Sequence, residues 1–144
     1  MVTNDFLHKI DIKQTVSCSF CEEQKETLAH LFWTCRHTEL LEEHLRVDFS
    51  KLQRFRKCFS FFDSLFWLID NVKDVLFHHL LLIARYYIYN CRLGNKLPNL
   101  QVYIQLLINS MEIEKQTAFH NNDPNLFVKK WSRFQNNLSQ NLLH

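Results

Sequence analysis

Apolar residues recur every three or four positions through most of the second half of the chain, the spacing that gives a helix one buried face. Between positions 72 and 93, Val72, Val75, Leu76, His79, Leu82, Ile83, Tyr86 and Tyr87 share one wide face and predict the longest helix. Gly94 and Asn95 follow, and both residue types tolerate the left-handed conformation that stops a helix. Pro98 suits the first turn of the next helix, which would bury Leu100, Tyr103, Ile104, Leu107 and Met111. The string Asn121-Asn122-Asp123-Pro124 reads as a turn, with Asp123 as N-cap and Pro124 at the first helical position. A last helix places Phe127, Trp131, Phe134 and Leu138 on one side.

The first half is patterned less regularly. Residues 1–17 show no sustained period. From Thr38 the run TELLEEHLRVDF predicts a helix with Leu40, Leu41, Leu45 and Phe49 inward. The run KLQRFRKCFSFF is basic and aromatic, and Asp63 is placed to cap a short helix through Leu65, Phe66 and Ile69. The predicted class is all-α. Residues 1–50 would form a small module with a first helix, and 51–144 a bundle of three to four amphipathic helices.

Composition agrees with that reading. The 144 residues suit one ordinary domain, and an apolar share of 47% with thirteen Phe, four Tyr and three Trp supplies a core. One Gly and two Pro are too few for the many tight turns of a sandwich or barrel, or for the loops of a doubly wound fold. The start of the chain has no apolar signal region, and the run VLFHHLLLIARYYIY carries two His and an Arg and falls short of a membrane span. Five cysteines, an odd number, without an export signal argue against a disulfide framework and for a reducing compartment, cytoplasm or nucleus.

The net charge of +2 conceals an asymmetry: residues 1–50 carry five Lys and Arg against nine Asp and Glu, and residues 51–144 carry twelve against six. Unevenly charged solvated helix faces would account for this; so would an anionic partner on the C-terminal part.

The densest chemistry lies in CSFCEEQKETLAHLFWTC, residues 18–35, with the spacing Cys18-x2-Cys21-x8-His30-x4-Cys35. Two thiolates two residues apart can grip one metal from a single tight turn, and His30 with Cys35 would close the tetrahedron. In an unbroken α-helix residues five apart diverge by about 140°. The helix is therefore expected to tighten or break near Thr34, and His37 is a substitute ligand one turn on. A thioredoxin-like dithiol would need a strand–helix context that is missing, while a plainly buried Cys35 and a surface His30 compete as bland explanations. Four ligand types at coherent spacing in one window favour a metal. A mixed Cys3His set suits Zn²⁺ over iron, and with all four positions supplied by protein the role would be structural.

The same string, with Glu26-Thr27, His30-Leu31-Phe32 and Cys35, resembles the C-terminal zinc-binding (Cys-Cys-His-Cys) segment of non-LTR, LINE-type retrotransposon reverse transcriptases. LLLIARYYIYNCRLGNKLPNLQVYIQLL, MEIEKQTAF and FVKKWSRF resemble the helical tail that follows it. The resemblance covers nearly the whole chain. It implies Cys18, Cys21, His30 and Cys35 as zinc ligands, and a nucleic-acid-binding accessory of target-primed reverse transcription. It also implies a C-terminal remnant or standalone derivative, with other retrotransposon regions as partners. No adjacent Asp pair exists to hold polymerase metals, and no endonuclease constellation is present, so catalysis is not expected.

For nucleic acid, Arg46, Lys51, Arg54, Arg56 and Lys57 lie among Phe49, Phe55 and Phe59. Cations neutralise phosphates and exposed rings stack on unpaired bases, which suits RNA or single-stranded DNA; a solvated helix end with its rings in the core is the plain alternative. The module's own Glu22, Glu23 and Glu26 read as surface charge that repels phosphate. Lys129, Lys130 and Arg133 read as a solubilising face, His78 and His79 as packing without an acid nearby, Arg85 and Arg92 as marginal, and Cys58 and Cys91 as small core residues. A helical protein-interaction domain pinned by a structural zinc is the rival function.

Overall fold

In the computed structural model, residues 1–39, 41 and 75–141 are described. The expected helix from Thr38 through Phe49, the Asp63 helix, Val72 and Cys58 lie largely or wholly outside them. Among the described residues the fold is all-α, with no strand beyond an isolated antiparallel bridge between Ser17 and Lys25. None of these helices is long and apolar enough to cross a membrane.

A short helix α1, Asn4–Lys9, forms among residues that show no sustained period, because Thr3 supplies an N-cap: its Oγ1 accepts from Phe6 N. Three longer helices follow the metal-ligand region: α2 (Val75–Leu93), α3 (Leu100–His120) and α4 (Pro124–Asn141). α3 packs on both α2 and α4, and α2 also touches the turn His30–Thr34.

The stripes of α3 and α4 emerge much as the spacing predicts, except that Ile104 is only half-buried; the side chain of Leu138 lies outside those described. Tyr103, Leu107 and Met111 are buried on α3, with Leu100 packed beside the core, and Phe127, Trp131 and Phe134 are buried on α4. Trp131 and Tyr103 are fully buried; rings of this size contribute most to such a core. Trp131 meets Phe134 edge-on, and Tyr103 stacks on Tyr87 of α2.

The phase of α2 differs from the expectation. Its buried residues are Leu76, Leu80, Leu81, Ala84, Tyr87, Ile88, Cys91 and Arg92, whereas Val75, Leu82 and Tyr86 face outward. The helix is apolar nearly all round, so periodicity alone does not select a face. Its three partners do: α3, α4 and the turn that precedes Cys35.

Three helices end in the same way, and none uses glycine. Asp11, Asn95 and Asn122 adopt φ of 56°, 50° and 57° just beyond α1, α2 and α3. After α2, Asn95 N donates to Arg92 O and Lys96 N to Cys91 O, the paired bonds of a Schellman motif; the equivalent pairs close α1 and α3. The left-handed residue after α2 is thus Asn95, not Gly94. Pro98 also falls outside the first turn of α3: the helix starts at Leu100, and Asn99 caps it by accepting from Gln101 N and Val102 N. Pro124 does begin α4.

Candidate metal centre

Residues 16–26 form a tight loop closed by backbone bonds, Cys18 N to Gln24 O at 2.7 Å and Glu26 N to Val16 O at 2.8 Å. Inside it Glu22 N donates to Cys18 O at 3.0 Å, and Glu22 takes φ of 60° so that the chain can reverse directly after Cys21. Thr27 then starts a short helical stretch, its Oγ1 accepting from His30 N and its carbonyl from Leu31 N.

That stretch does not tighten near Thr34. It widens into a π-helical turn, His30–Thr34, closed by Cys35 N donating to His30 O, five residues back, at 2.9 Å. The wider turn brings residues five apart nearly into register, where an α-helix would separate them. The chain breaks at once afterwards, Cys35 being extended with ψ of 128°. Cys35 O is held by Thr38 N, Thr38 Oγ1 and Glu39 N.

The result is a single cluster. One ligand atom from each of Cys18, Cys21, His30 and Cys35 lies within 4.8 Å of the others, and all four residues are buried. Cys18 Sγ is 3.9 Å from Cys35 Sγ, and Cys21 Sγ is 3.2 Å from His30 Nε2. Tetrahedral Zn–S and Zn–N bonds would set such separations at about 3.6–3.8 Å. The donor set can close on a tetrahedral ion if its separations, which reach up to 4.8 Å, adjust by up to about 1 Å. The described cysteines are free thiols. His37 lies outside the cluster, exchanging a hydrogen bond with Arg36 instead.

The electrostatics divide the three thiols. Burial pushes the Cys35 thiol up to about 12 and raises Cys18, so without a cation these sulfurs keep their protons. Burial acts on Cys21 in the same sense, but donors from the Gln24 and Glu23 backbone outweigh it and hold that thiol below its ordinary value. Phe20 N also donates to Cys18 Sγ at 3.4 Å. Such N–H donors stabilise thiolates, and a dication would displace the remaining protons. Burial lowers His30, keeping its ring neutral as a ligand requires. With Nε2 turned to Cys21 as the ligand atom, the ring proton would sit on His30 Nδ1, 3.1 Å from Thr34 Oγ1, which can accept it and orient the ring.

Glu26 is not the surface charge that its neighbours Glu22 and Glu23 suggest. Its side chain is 0% exposed, and Oε1 accepts from Asn4 N at 2.8 Å and Arg92 Nε at 2.7 Å, while Oε2 accepts from Ser19 N at 2.7 Å. Burial would raise the carboxyl, yet the Ser19, Arg92 and Asn4 donors outweigh it and leave it below the usual carboxylate range. Arg92 is accordingly buried rather than marginal. No local sequence signal singles out this pair, since α2 carries both Arg85 and Arg92.

The other sequence-selected residues divide similarly. Arg46, Lys51, Arg54, Arg56 and Lys57 lie outside the described residues. Lys130 is not a free solubilising charge: it pairs with Glu114 at 2.7 Å and lies over the Trp131 ring, whose Nε1 donates to Glu114 at 2.8 Å. His79 does have an acid nearby, Glu114 at 3.4 Å, and its Nε2 lies 3.0 Å from Ser110 Oγ. Cys91 is a buried core residue, as expected.

These features define a class: a helical protein with a buried Cys3His cluster able to hold one metal ion. No family model matches the chain, and no curated protein or solved structure is significantly similar to it.

Proposed function

We propose that the chain is a zinc-stabilised nucleic-acid-binding accessory module, akin to the C-terminal part of non-LTR retrotransposon reverse transcriptases, acting on RNA or single-stranded DNA without catalysis of its own. The observation that carries the metal half is the convergence of Cys18, Cys21, His30 and Cys35, four buried ligands within 4.8 Å. Three thiolates and one imidazole match Zn²⁺, and because protein fills every tetrahedral position the ion is structural.

The nucleic-acid half rests on the sequence resemblance and on the cations of the 46–57 segment. Among the described residues Lys96 and Lys129 are exposed cations outside any ion pair, while most others are paired. Lys9 and Lys25 pair with Asp5, Arg36 with Glu23, Lys115 with Glu112, Lys130 with Glu114 and Arg92 with Glu26. Cations already set against carboxylates offer little to phosphate. Three thiolates around a dication also leave about −1 on the metal cluster. We assign phosphate contact first to Lys51, Arg54, Arg56 and Lys57, with Arg46, for their density in the sequence.

Titration of single-stranded RNA at two salt concentrations tests this. Four phosphate contacts give an affinity that falls with salt at a slope near −0.7 per contact, about −3 in total. Neutralising Lys51, Arg54, Arg56 and Lys57 together flattens the slope and weakens all sequences alike. An unchanged slope in that variant refutes the assignment. The second reading, a protein-interaction domain, is favoured by one observation: Val75, Leu82 and Tyr86 present apolar surface outward from α2. Absence of any RNA binding by the zinc-loaded chain would move the function to that class.

A further inference from the structure

The Glu26–Arg92 pair joins the ligand loop to a helix 66 residues away in sequence, and both side chains are buried. On the loop side, Glu26 Oε2 holds Ser19 N, inside the Cys18–Cys21 turn itself. Asn4 completes the assembly. Its Nδ2 donates to Ser17 O at 2.7 Å and to Ser19 Oγ at 3.3 Å, and its Oδ1 accepts from Arg92 Nη2 at 3.1 Å and Lys13 Nζ at 2.8 Å. The backbone on both sides of Cys18 is thus clamped by groups that converge on one guanidinium.

The second half of the ligand set leans on the same helix. Phe32 and Trp33 of the π-helical turn line an apolar crevice with Leu81, Ala84 and Ile88 of α2, so His30 is positioned from α2 as well. One helix therefore supports both pairs of ligands, the thiolate turn through Glu26 and the His30–Cys35 pair through packing.

From this geometry we infer that Arg92 is a positioning residue for the metal, setting metal affinity from a distance through Glu26. The inference rests on the reading of the Cys3His set as a metal site. A carboxylate with no exposed surface and three donors cannot lose its one cationic donor without being protonated or drawn towards water, and either change releases Ser19 N. The thiolate turn then has more conformations to give up on binding metal. Linkage requires the converse: metal bound in the loop must stabilise the last turn of α2, where Arg92 sits.

The test is a competitive zinc titration against a chromophoric chelator, with circular dichroism of each apo chain as a check that the helices persist. Arg92→Met and Glu26→Gln should each weaken zinc about tenfold, the scale seen when groups behind metal ligands are removed. The double variant should bind no more weakly than the worse single, because both act through one contact. Arg36→Met, which removes an exposed pair beside Cys35, should leave affinity within about twofold. Wild-type affinity in Arg92→Met, or additive losses in the double variant, overturns the inference. If Arg92→Met loses its helices, Arg92→Lys decides. With the charge kept but the guanidinium fork gone, it should fold and still bind zinc several-fold more weakly; undiminished affinity overturns the inference. A wild-type chain that binds no zinc at all would instead sink the metal reading.

Discussion

Thr34→Val isolates the hydroxyl that orients the histidine ligand. His30 is 5% exposed and its Nδ1 has Thr34 Oγ1 at 3.1 Å, while Nε2 faces the cluster. Valine keeps the branched shape and deletes only the hydroxyl. A net hydrogen bond is worth about 0.5–1.5 kcal/mol, and a buried donor left without a partner costs about 1–3 kcal/mol. Thr34 itself is exposed, so water can reach the vacated position and the lower range applies. A loss of about 1 kcal/mol is a drop in zinc affinity of roughly fivefold. Competitive zinc titration measures it, and the histidine ring's ¹⁵N shifts report the tautomer of the bound form. Thr34→Ser, which retains the hydroxyl, should stay within about twofold of wild type. Equal losses in the valine and serine variants, or none in either, would refute the idea that this hydroxyl fixes the ring.

Three further outcomes follow from the packing and the charges. Chelation should speed amide exchange through residues 16–35 and in the last turn of α2 around Arg92, while α3 and the Trp131 region of α4 stay protected; uniform loss of protection would show that the bundle has no stability of its own. Glu114→Gln should destabilise the chain at neutral pH, by no more than about 1–2 kcal/mol because the carboxylate is a third exposed. Burial would raise the Glu114 carboxyl, but Lys130 and Trp131 hold it below its ordinary value of 4.5, so its contribution is full above that pH and is lost as pH falls through the lowered folded value. Denaturant titrations of the two chains should therefore converge as the solution is made acid, and a gap that did not narrow with falling pH would contradict this. Finally, Asn95→Ala should cost about 1 kcal/mol for its left-handed backbone and Asn95→Gly should not destabilise; the reverse order in thermal melts would argue against the Schellman cap.

The ligand quartet was legible because its information is local: four residues in one 18-residue window, with spacing that only a turn and a broken helix can reconcile. The face of α4 was legible because mostly polar residues separate Phe127, Trp131 and Phe134, and that of α3 because Tyr103, Leu107 and Met111 recur at every fourth position. α2 has no such separation, and its outward Val75, Leu82 and Tyr86 could be assigned only once α3, α4 and the His30 turn were in place. The break at Cys35 followed from the spacing, but widening and tightening both satisfy it, and the backbone alone reveals the π-helical turn. Glu26 was misread because a glutamate three residues from another glutamate carries no mark of burial, and its counter-charge comes from a distant helix. The same holds for His79 and Lys130, whose common acid, Glu114, comes from another helix.

X-ray absorption at the zinc edge, on protein purified without chelator and with its metal content determined in parallel, tests the central claim most directly. One zinc per chain is expected, bound by three sulfurs at about 2.3 Å and one nitrogen at about 2.0–2.1 Å, with no bound water. In Cys21→Ser the sulfur count should fall to two and the bound zinc should become easily removed. A chain without stoichiometric metal, or a zinc shell made of oxygen and nitrogen only and unaltered by Cys21→Ser, would contradict the assignment of Cys18, Cys21, His30 and Cys35 as its ligands.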